Sequence, residues 1–173
     1  SAAALAAVEP APSGVILASP ANPTGTIIPR EELQAITQVC RTRGITVISD
    51  EIYHGISYGM DTPSILQVMP EAWVVNSFSK YFSMAGWRLG WLVAPQEGID
   101  AARARMSNLF LTPPSLSQHA GLVALAPELG DHAGRLVTKR HRQGPRPVAV
   151  DHRKIGMAQA CGLDPHQHLA RPR

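Results

Sequence analysis

Residues 14–50 read GVILASPANPTGTIIPREELQAITQVCRTRGITVISD and contain the signals of a strand, a helix and a second strand. Residues 14–19 form a short apolar run bounded by Gly and Pro, which is typical of a buried strand. Residues 45–50 form a second such run, rich in β-branched side chains. Strands joined by a helical crossover lie parallel in one sheet, so this stretch predicts a strand-helix-strand unit.

The helix of this unit is predicted to begin with Pro29 as its first residue and to end at Gly44. Its terminal turns carry charges that suit the helix dipole, acidic at the start and basic at the end. These charged residues are Glu31, Glu32, Arg41 and Arg43. The side chains expected on the buried face, at helical spacing, are Leu33, Ile36, Val39 and Cys40.

Beyond residue 50 the pattern predicts two further strands, at residues 72–77 and 89–94, because both stretches are short and apolar. Helices are predicted at residues 96–110 and 114–125, on either side of a Pro-Pro break. The tryptophans expected in the core are Trp73, Trp87 and Trp91. These elements predict an α/β fold with a mainly parallel sheet.

The charge of the chain divides unevenly at Val137. Up to that residue there are 8 Lys and Arg against 11 Asp and Glu, giving −3; after it there are 8 against 2, giving +6. Residues 138–173 are therefore predicted to be a basic, unassigned tail, solvated rather than bound to nucleic acid. One hypothesis for the change is a frameshifted or chimeric gene, which translation of the other reading frames would test.

The positions of the cysteines and histidines indicate the redox compartment and whether a metal site is expected. Cys40 and Cys161 form no CxxC motif and no ligand pattern, which is typical of a reducing compartment, and a cytoplasmic location is predicted. His166 and His168 could form a metal pair, but their Pro-rich surroundings favour a solvated role, and no metal is predicted. No apolar stretch approaches the roughly 20 residues that a membrane span needs, so no membrane partner is expected.

Polar side chains follow three of the four predicted strands. Asn22 follows the first, Asp50 closes the second, and Ser77, Ser79 and Lys80 follow the third. Ligands of an open parallel sheet bind outside the carboxyl ends of its strands, because the loops there converge on one crevice. The sequence therefore predicts a site that contains an amine, a carboxylate, an amide and hydroxyl groups.

Each of these residues also has a structural interpretation. Asn22 begins an ordinary turn sequence, and Asp50 could cap the turn that follows it. Lys80 could be a solvated surface lysine, although its aromatic and hydroxyl neighbours favour a nucleophilic amine. Arg88 is predicted at a strand edge, where its charge needs a partner, and phosphate is a suitable one. His54 is expected to be packed or at the rim rather than to act as a general base.

Four motifs together carry a resemblance to a known family. They are SPANPTG at residues 19–25, DEIY at residues 50–53, SFSK at residues 77–80 and GWRLG at residues 86–90. In order and spacing they resemble the signatures of the class I and II aminotransferases, which use pyridoxal phosphate and have fold type I. The resemblance implies a three-layer α/β/α large domain that is incomplete here, with residues 1–137 as the C-terminal part of its cofactor-binding region.

The resemblance also implies a role for seven residues. Lys80 would form a Schiff base with the cofactor aldehyde and shuttle the substrate proton, and Asp50 would keep the pyridine nitrogen protonated. Asn22 and Tyr53 would hydrogen-bond the phenolic oxygen of the cofactor, and the peptide bond from Asn22 to Pro23 would be cis. The phosphate would be bound by Ser77, Ser79 and Arg88. The catalytic members of this set are Lys80, Asp50 and Tyr53.

The activity implied by the resemblance is transfer of an amino group from an amino acid to a 2-oxo acid, by a homodimer of amino acid metabolism. Three alternatives stay open. One is a pyridoxal-phosphate-dependent lyase of the same fold, which differs in substrate contacts absent from this sequence. The others are a non-catalytic, aminotransferase-like regulatory domain, which a winged-helix segment would favour, and an inactive fragment with exposed sheet edges.

Overall fold

The computed structural model describes residues 1–126 of the 173-residue chain. The strands of its sheet are β1 (Gly14–Ala18), β2 (Thr46–Asp50), β3 (Trp73–Ser77) and β4 (Gly90–Val93). They lie side by side in chain order, with β1, β2 and β3 parallel and β4 antiparallel to β3. The helices are α1 (Ala2–Ala6), α2 (Arg30–Arg43), α3 (Ile99–Phe110) and α4 (Ser115–Leu125). The predicted α/β class and mainly parallel sheet are confirmed.

The predicted crossover unit is formed by β1, α2 and β2. Pro29 is the N-cap of α2, so the helix begins one residue later than predicted. Gly44 ends the helix in a left-handed conformation with φ of 66°, which is unfavourable for residues with a Cβ. Its backbone N–H donates to Arg41 O at 3.4 Å. The chain then enters β2 parallel to β1, as the crossover requires.

The core lies between α2 and one face of the sheet. On the sheet side it is formed by Val15, Val47, Val74 and Val93. The buried side chains of α2 are Leu33, Ile36, Thr37 and Cys40. Val39 is only half-buried and Thr37 is buried instead. The Thr37 hydroxyl donates to Gln34 O at 3.0 Å within the helix, which satisfies it in the core. Burial raises the pKa of the Cys40 thiol, which therefore packs as a small, protonated side chain.

In residues 1–126, the face of the sheet opposite α2 has exposed apolar side chains. Ile16 of β1 is 73% exposed and Val75 of β3 is 41% exposed. By strand register Asp50 lies on the same face beside Val75, and Ser77 lies two residues further along β3. Residues 1–126 thus supply a sheet and the helical layer of α1 and α2, in keeping with an incomplete α/β domain.

Helix α1 departs from the sequence prediction, which placed no element before residue 14. Two side chains of α2 hold its ends. Glu32 accepts a hydrogen bond from Ala2 N at 2.7 Å, and Arg43 donates to carbonyl oxygens at the other end of α1. A five-residue helix has too few internal hydrogen bonds to persist alone, so these tertiary contacts account for it.

The remaining elements agree with the sequence except at one tryptophan. Helices α3 and α4 begin within three residues of the predicted positions. Trp73 and Trp91 are half-buried, and Trp91 packs edge-on against Phe78 with ring centroids 5.0 Å apart. Trp87 is 45% exposed in the short 3-10 turn before β4, so its predicted place in the core is wrong. No helix in residues 1–126 is long and apolar enough to cross a membrane.

Candidate active site

Three loops meet at the edge of the sheet where β1, β2 and β3 end. The ladder pairs Ala18 with Asp50, and Asp50 with Val75, so the strands end nearly level. Ser19 N then donates to Asp50 O at 3.2 Å, which extends the β1–β2 pairing by one hydrogen bond. The loop that carries Asn22 therefore starts directly beside Asp50.

Asn22, Tyr53 and Lys80 come together from these three loops. Asn22 Nδ2 donates to Tyr53 Oη at 3.1 Å, and Lys80 Nζ lies 5.6 Å from the centre of the Tyr53 ring. The face of an aromatic ring attracts a cation, so the Tyr53 ring favours this position of the amine. The Asn22–Pro23 peptide bond is cis, as the resemblance implied. An amine, a phenol and an amide thus share one patch of the surface.

Lys80 is exposed, which agrees with the interpretation as a solvated lysine, and its aromatic sequence neighbours do not bury the amine. Phe78 is 4% exposed, and its ring lies 5.0 Å from those of Phe82 and Trp91. The chain turns between them, with Ser83 N donating to Lys80 O at 3.0 Å. Because of this turn the aromatic rings pack together while the amine stays accessible to a ligand.

Asp50 lies half-buried at the end of β2. Its Oδ1 accepts a hydrogen bond from Ile52 N at 3.1 Å, which is the capping role considered from the sequence. Among the described residues no hydrogen bond engages Oδ2. One carboxylate oxygen therefore orders the turn that leads to Tyr53, while the other can accept from a ligand.

Ser77 and Ser79 form a hydroxyl pair next to the backbone of Leu89. Their hydroxyl oxygens lie 3.0 Å apart, and Ser77 Oγ donates to Leu89 O at 3.0 Å. The Arg88 side chain is exposed and donates to Ala85 O at 3.2 Å. Arg88 lies in the turn two residues before β4 with φ of 51°, close to the strand end where it was predicted but exposed. Its guanidinium lies in solvent, where its charge needs no buried partner.

A buried acid at the site, Glu51, was not predicted from the sequence. Glu51 is 4% exposed, and its Oε2 lies 3.4 Å from His54 Nδ1. His54 Nε2 in turn lies 3.0 Å from Ser19 O, so the packed position expected for His54 is confirmed. The alternation of β2 could have revealed the acid, because Val47, Ser49 and Glu51 follow one another at a spacing of two and are all buried.

The histidine pair and the basic tail of the sequence prediction, with its boundary at Val137, lie outside the described residues. Within residues 1–126 no group of three or more His, Cys, Asp or Glu side chains could hold a metal ion.

The polar loops at the carboxyl edge of this mixed α/β sheet form a candidate ligand-binding site. The family model "Aminotransferase class I and II" matches residues 2–143, which is more than half of the chain. The chain therefore belongs to the class I and II aminotransferase family.

Individual relatives agree with this assignment. Over 126 residues the chain is 48% identical to the valine–pyruvate aminotransferase of Mycobacterium tuberculosis, covering 72% of this chain and 32% of that protein. It is 38% identical over 123 residues to the aspartate aminotransferase of Geobacillus stearothermophilus, covering 68% and 31%. The crystal structure of an aminotransferase from Mycobacterium tuberculosis superposes with a TM-score of 0.75 at 45% identity, covering 79% and 36%. The chain thus spans about a third of the length of these relatives.

Proposed function

We propose that this chain is the cofactor-binding part of a pyridoxal-phosphate-dependent aminotransferase, which transfers an amino group from an amino acid to a 2-oxo acid. The observation that carries the proposal is the meeting of Lys80, Tyr53 and Asn22 at the carboxyl edge of the sheet. An exposed primary amine can bind an aldehyde covalently, and the amide and phenol beside it can bind a neighbouring oxygen. Membership of the aminotransferase family supports the same chemistry.

The side chains present fit the ring of pyridoxal phosphate. Lys80 would hold the aldehyde, and Asn22 and Tyr53 would share the phenolic oxygen as hydrogen-bond donors. Asp50 would accept from the protonated ring nitrogen through Oδ2, because Oδ1 already binds Ile52 N. When bound, the cofactor supplies an electron-withdrawing ring that stabilises negative charge at the substrate Cα.

The phosphate would be bound by Ser77, Ser79 and Arg88. Two hydroxyl groups 3.0 Å apart and an exposed guanidinium would form a donor set suited to phosphate oxygens, once Ser77 Oγ gives up its hydrogen bond to Leu89 O. Arg88 would exchange its single hydrogen bond to Ala85 O for this contact. The Lys80 amine would also be the group that holds and moves the proton removed from the substrate Cα.

The substrates to test first are those named for the relatives, valine with pyruvate and then aspartate. The lyase alternative predicts elimination of a β-substituent without a 2-oxo-acid acceptor, so an acceptor screen separates the two activities. The proposal also includes a homodimer, as the family resemblance implies, and a cytoplasmic location, as the cysteine usage predicts.

The decisive experiment is to incubate the 173-residue chain with pyridoxal phosphate, reduce it with borohydride and map the modified lysine. The chain contains three lysines, Lys80, Lys139 and Lys154, so the two distal lysines serve as internal controls for unspecific labelling. We expect modification at Lys80 in preference to the others. The variant Lys80→Arg keeps the charge but lacks a primary amine, and it should lose the label. Equal modification of all three lysines, or none at Lys80, would contradict cofactor binding by this chain.

A further inference from the structure

The strongest feature outside the proposed cofactor contacts is the pair formed by Glu51 and His54. We propose that these two are positioning residues, which hold the loop of Asn22 against the turn of Tyr53 so that both donors stay directed at one ligand oxygen. The inference rests on the proposed function for the identity of that ligand. We call Glu51, His54 and the Ser19 carbonyl group the histidine clamp.

Glu51 anchors the clamp in the protein interior. Its Oε1 accepts hydrogen bonds from Ser49 Oγ at 3.1 Å, Ser64 Oγ at 3.1 Å and Ile65 N at 2.9 Å. A buried carboxylate is costly unless it is hydrogen-bonded, and three donors on one oxygen meet that need. They also fix the plane of the carboxylate, which leaves Oε2 directed at His54 Nδ1, 3.4 Å away.

His54 links the anchored Glu51 to the loop that carries Asn22. Its Nε2 lies 3.0 Å from Ser19 O, and a carbonyl oxygen can only accept, so Nε2 is the donor of this hydrogen bond. The same serine is 4% exposed, and its Oγ accepts from Ile28 N at 3.0 Å. The imidazole therefore binds a well-anchored point at the base of the loop that carries Asn22.

The clamp matters because the backbone pairing of these two segments ends early. After the hydrogen bond from Ser19 N to Asp50 O, two side-chain links join the loops within the described residues: Asn22 to Tyr53, and His54 to Ser19. A ligand oxygen that accepts from Asn22 and Tyr53 would replace the first link. The link from His54 would then be the side-chain contact that keeps the loops together.

The test compares His54→Ala with His119→Ala in the full 173-residue chain. His119 is an exposed histidine on α4, so its substitution controls for loss of an imidazole at an unrelated place. Hydrogen exchange without cofactor is followed at three amides of the Asn22 loop, those of Ala21, Gly25 and Ile28, which are hydrogen-bonded within it. We expect exchange about tenfold faster in His54→Ala and unchanged in His119→Ala, since one hydrogen bond to a packed group is removed.

Two further measurements connect the clamp to the ligand. Pyridoxal phosphate should bind about tenfold more weakly to His54→Ala than to the unsubstituted chain. His54→Gln, which retains a side-chain N–H for Ser19 O, should recover most of both losses. His54→Leu fills a similar volume without an N–H. If His54 acted only by filling space, the Gln and Leu variants would behave alike. Unchanged loop exchange in a folded His54→Ala chain overturns the clamp. If the unsubstituted chain fails to bind the cofactor, the proposed function fails while the exchange data still decide the clamp.

Discussion

Gly55 shows how a single residue joins two loops of the site. It has φ of 85°, and a Cβ built on it would lie 2.5 Å from Cδ2 of Tyr81. Tyr81 follows Lys80 directly and packs edge-on against Phe82 with ring centroids 5.0 Å apart. The absence of a side chain at Gly55 thus lets the lysine-bearing turn approach the turn of Tyr53.

Substitution of Gly55 by Ala should lower the free energy of unfolding by about 2 to 4 kcal/mol, from a positive φ and an overpacked contact together. Gly59 is the matched control, because it has φ of 68° with nothing within 4 Å of a built Cβ. Gly59→Ala should cost about 1 kcal/mol, the backbone part alone. Urea unfolding of both variants measures the difference.

The contact with Tyr81 is isolated by combining Gly55→Ala with Tyr81→Ala. Removal of the ring should relieve the overpacking, so the second substitution should cost less in the Gly55→Ala background than in the unsubstituted chain. Additive losses would show that Tyr81 moves aside without strain. The close packing of the two loops would then not depend on Gly55.

At the scale of elements, α1 depends on the side chain of Arg43. Its guanidinium donates to the carbonyl oxygens of Leu5 and Ala6 at 2.9 Å and of Val8 at 2.8 Å. These contacts satisfy carbonyl groups that the end of a helix leaves without an internal partner. The Arg43 side chain, 17% exposed, therefore anchors the C-terminal end of α1 and the two residues that follow it.

The variant Arg43→Lys should release α1, because an ammonium cannot reproduce the planar, multiply donating guanidinium. We expect the amides of residues 2–8 to lose about 1 to 2 kcal/mol of protection in hydrogen exchange, with the sheet amides little affected. Arg41→Lys is the control: Arg41 binds Glu71 at 2.7 Å at the surface, where ion pairs contribute little. Equal effects of the two substitutions would contradict the anchoring role of Arg43.

The limits of prediction from sequence also appear at this scale. The boundaries of α2 were predicted within a residue because Pro29, the charged turns and Gly44 are local signals. Helix α1 was missed because its stability comes from α2, about 30 residues further along the chain. The antiparallel direction of β4 could not be predicted, since a short apolar strand carries no signal of its direction.

In the site, strand order predicted which loops meet but not where each side chain points. Asn22 and Tyr53, assigned to one cofactor oxygen by resemblance, are hydrogen-bonded to each other. The exposure of Lys80 and the contact of Arg88 with Ala85 O depend on turn geometry between β3 and β4. The alternation of β2 places Glu51 on the buried side, but its hydrogen-bond partners at residues 64 and 65 come from a distant loop that no local motif encodes.

At the scale of the whole molecule, the described residues leave a large apolar surface uncovered. Ile16 and Val75 are exposed on the sheet. The large apolar residues more than half exposed on and between α3 and α4 are Leu109, Phe110, Leu111, Leu116, Leu122 and Val123. Monomeric proteins rarely expose so many large apolar side chains together, and a sheet edge such as β1 adds unpaired backbone groups. The chain spans about a third of its relatives, so we expect the isolated polypeptide to self-associate.

The variant Ile16→Lys tests whether the open sheet face contributes to this association. Ile16 is 73% exposed, so a charge there should cost little stability, while it should oppose both apolar contact and edge pairing of β1. At equal concentration, sedimentation velocity should show a smaller associated fraction for Ile16→Lys than for the unsubstituted chain. If the lost contact contributes roughly 1.4 kcal/mol, the association constant should fall by about tenfold. Gln38→Lys, on the exposed side of α2, adds the same charge to a polar surface and should leave association unchanged. If both lysines reduce association equally, net charge rather than the sheet face governs it, and the apolar surface of α3 and α4 becomes the contact to substitute next.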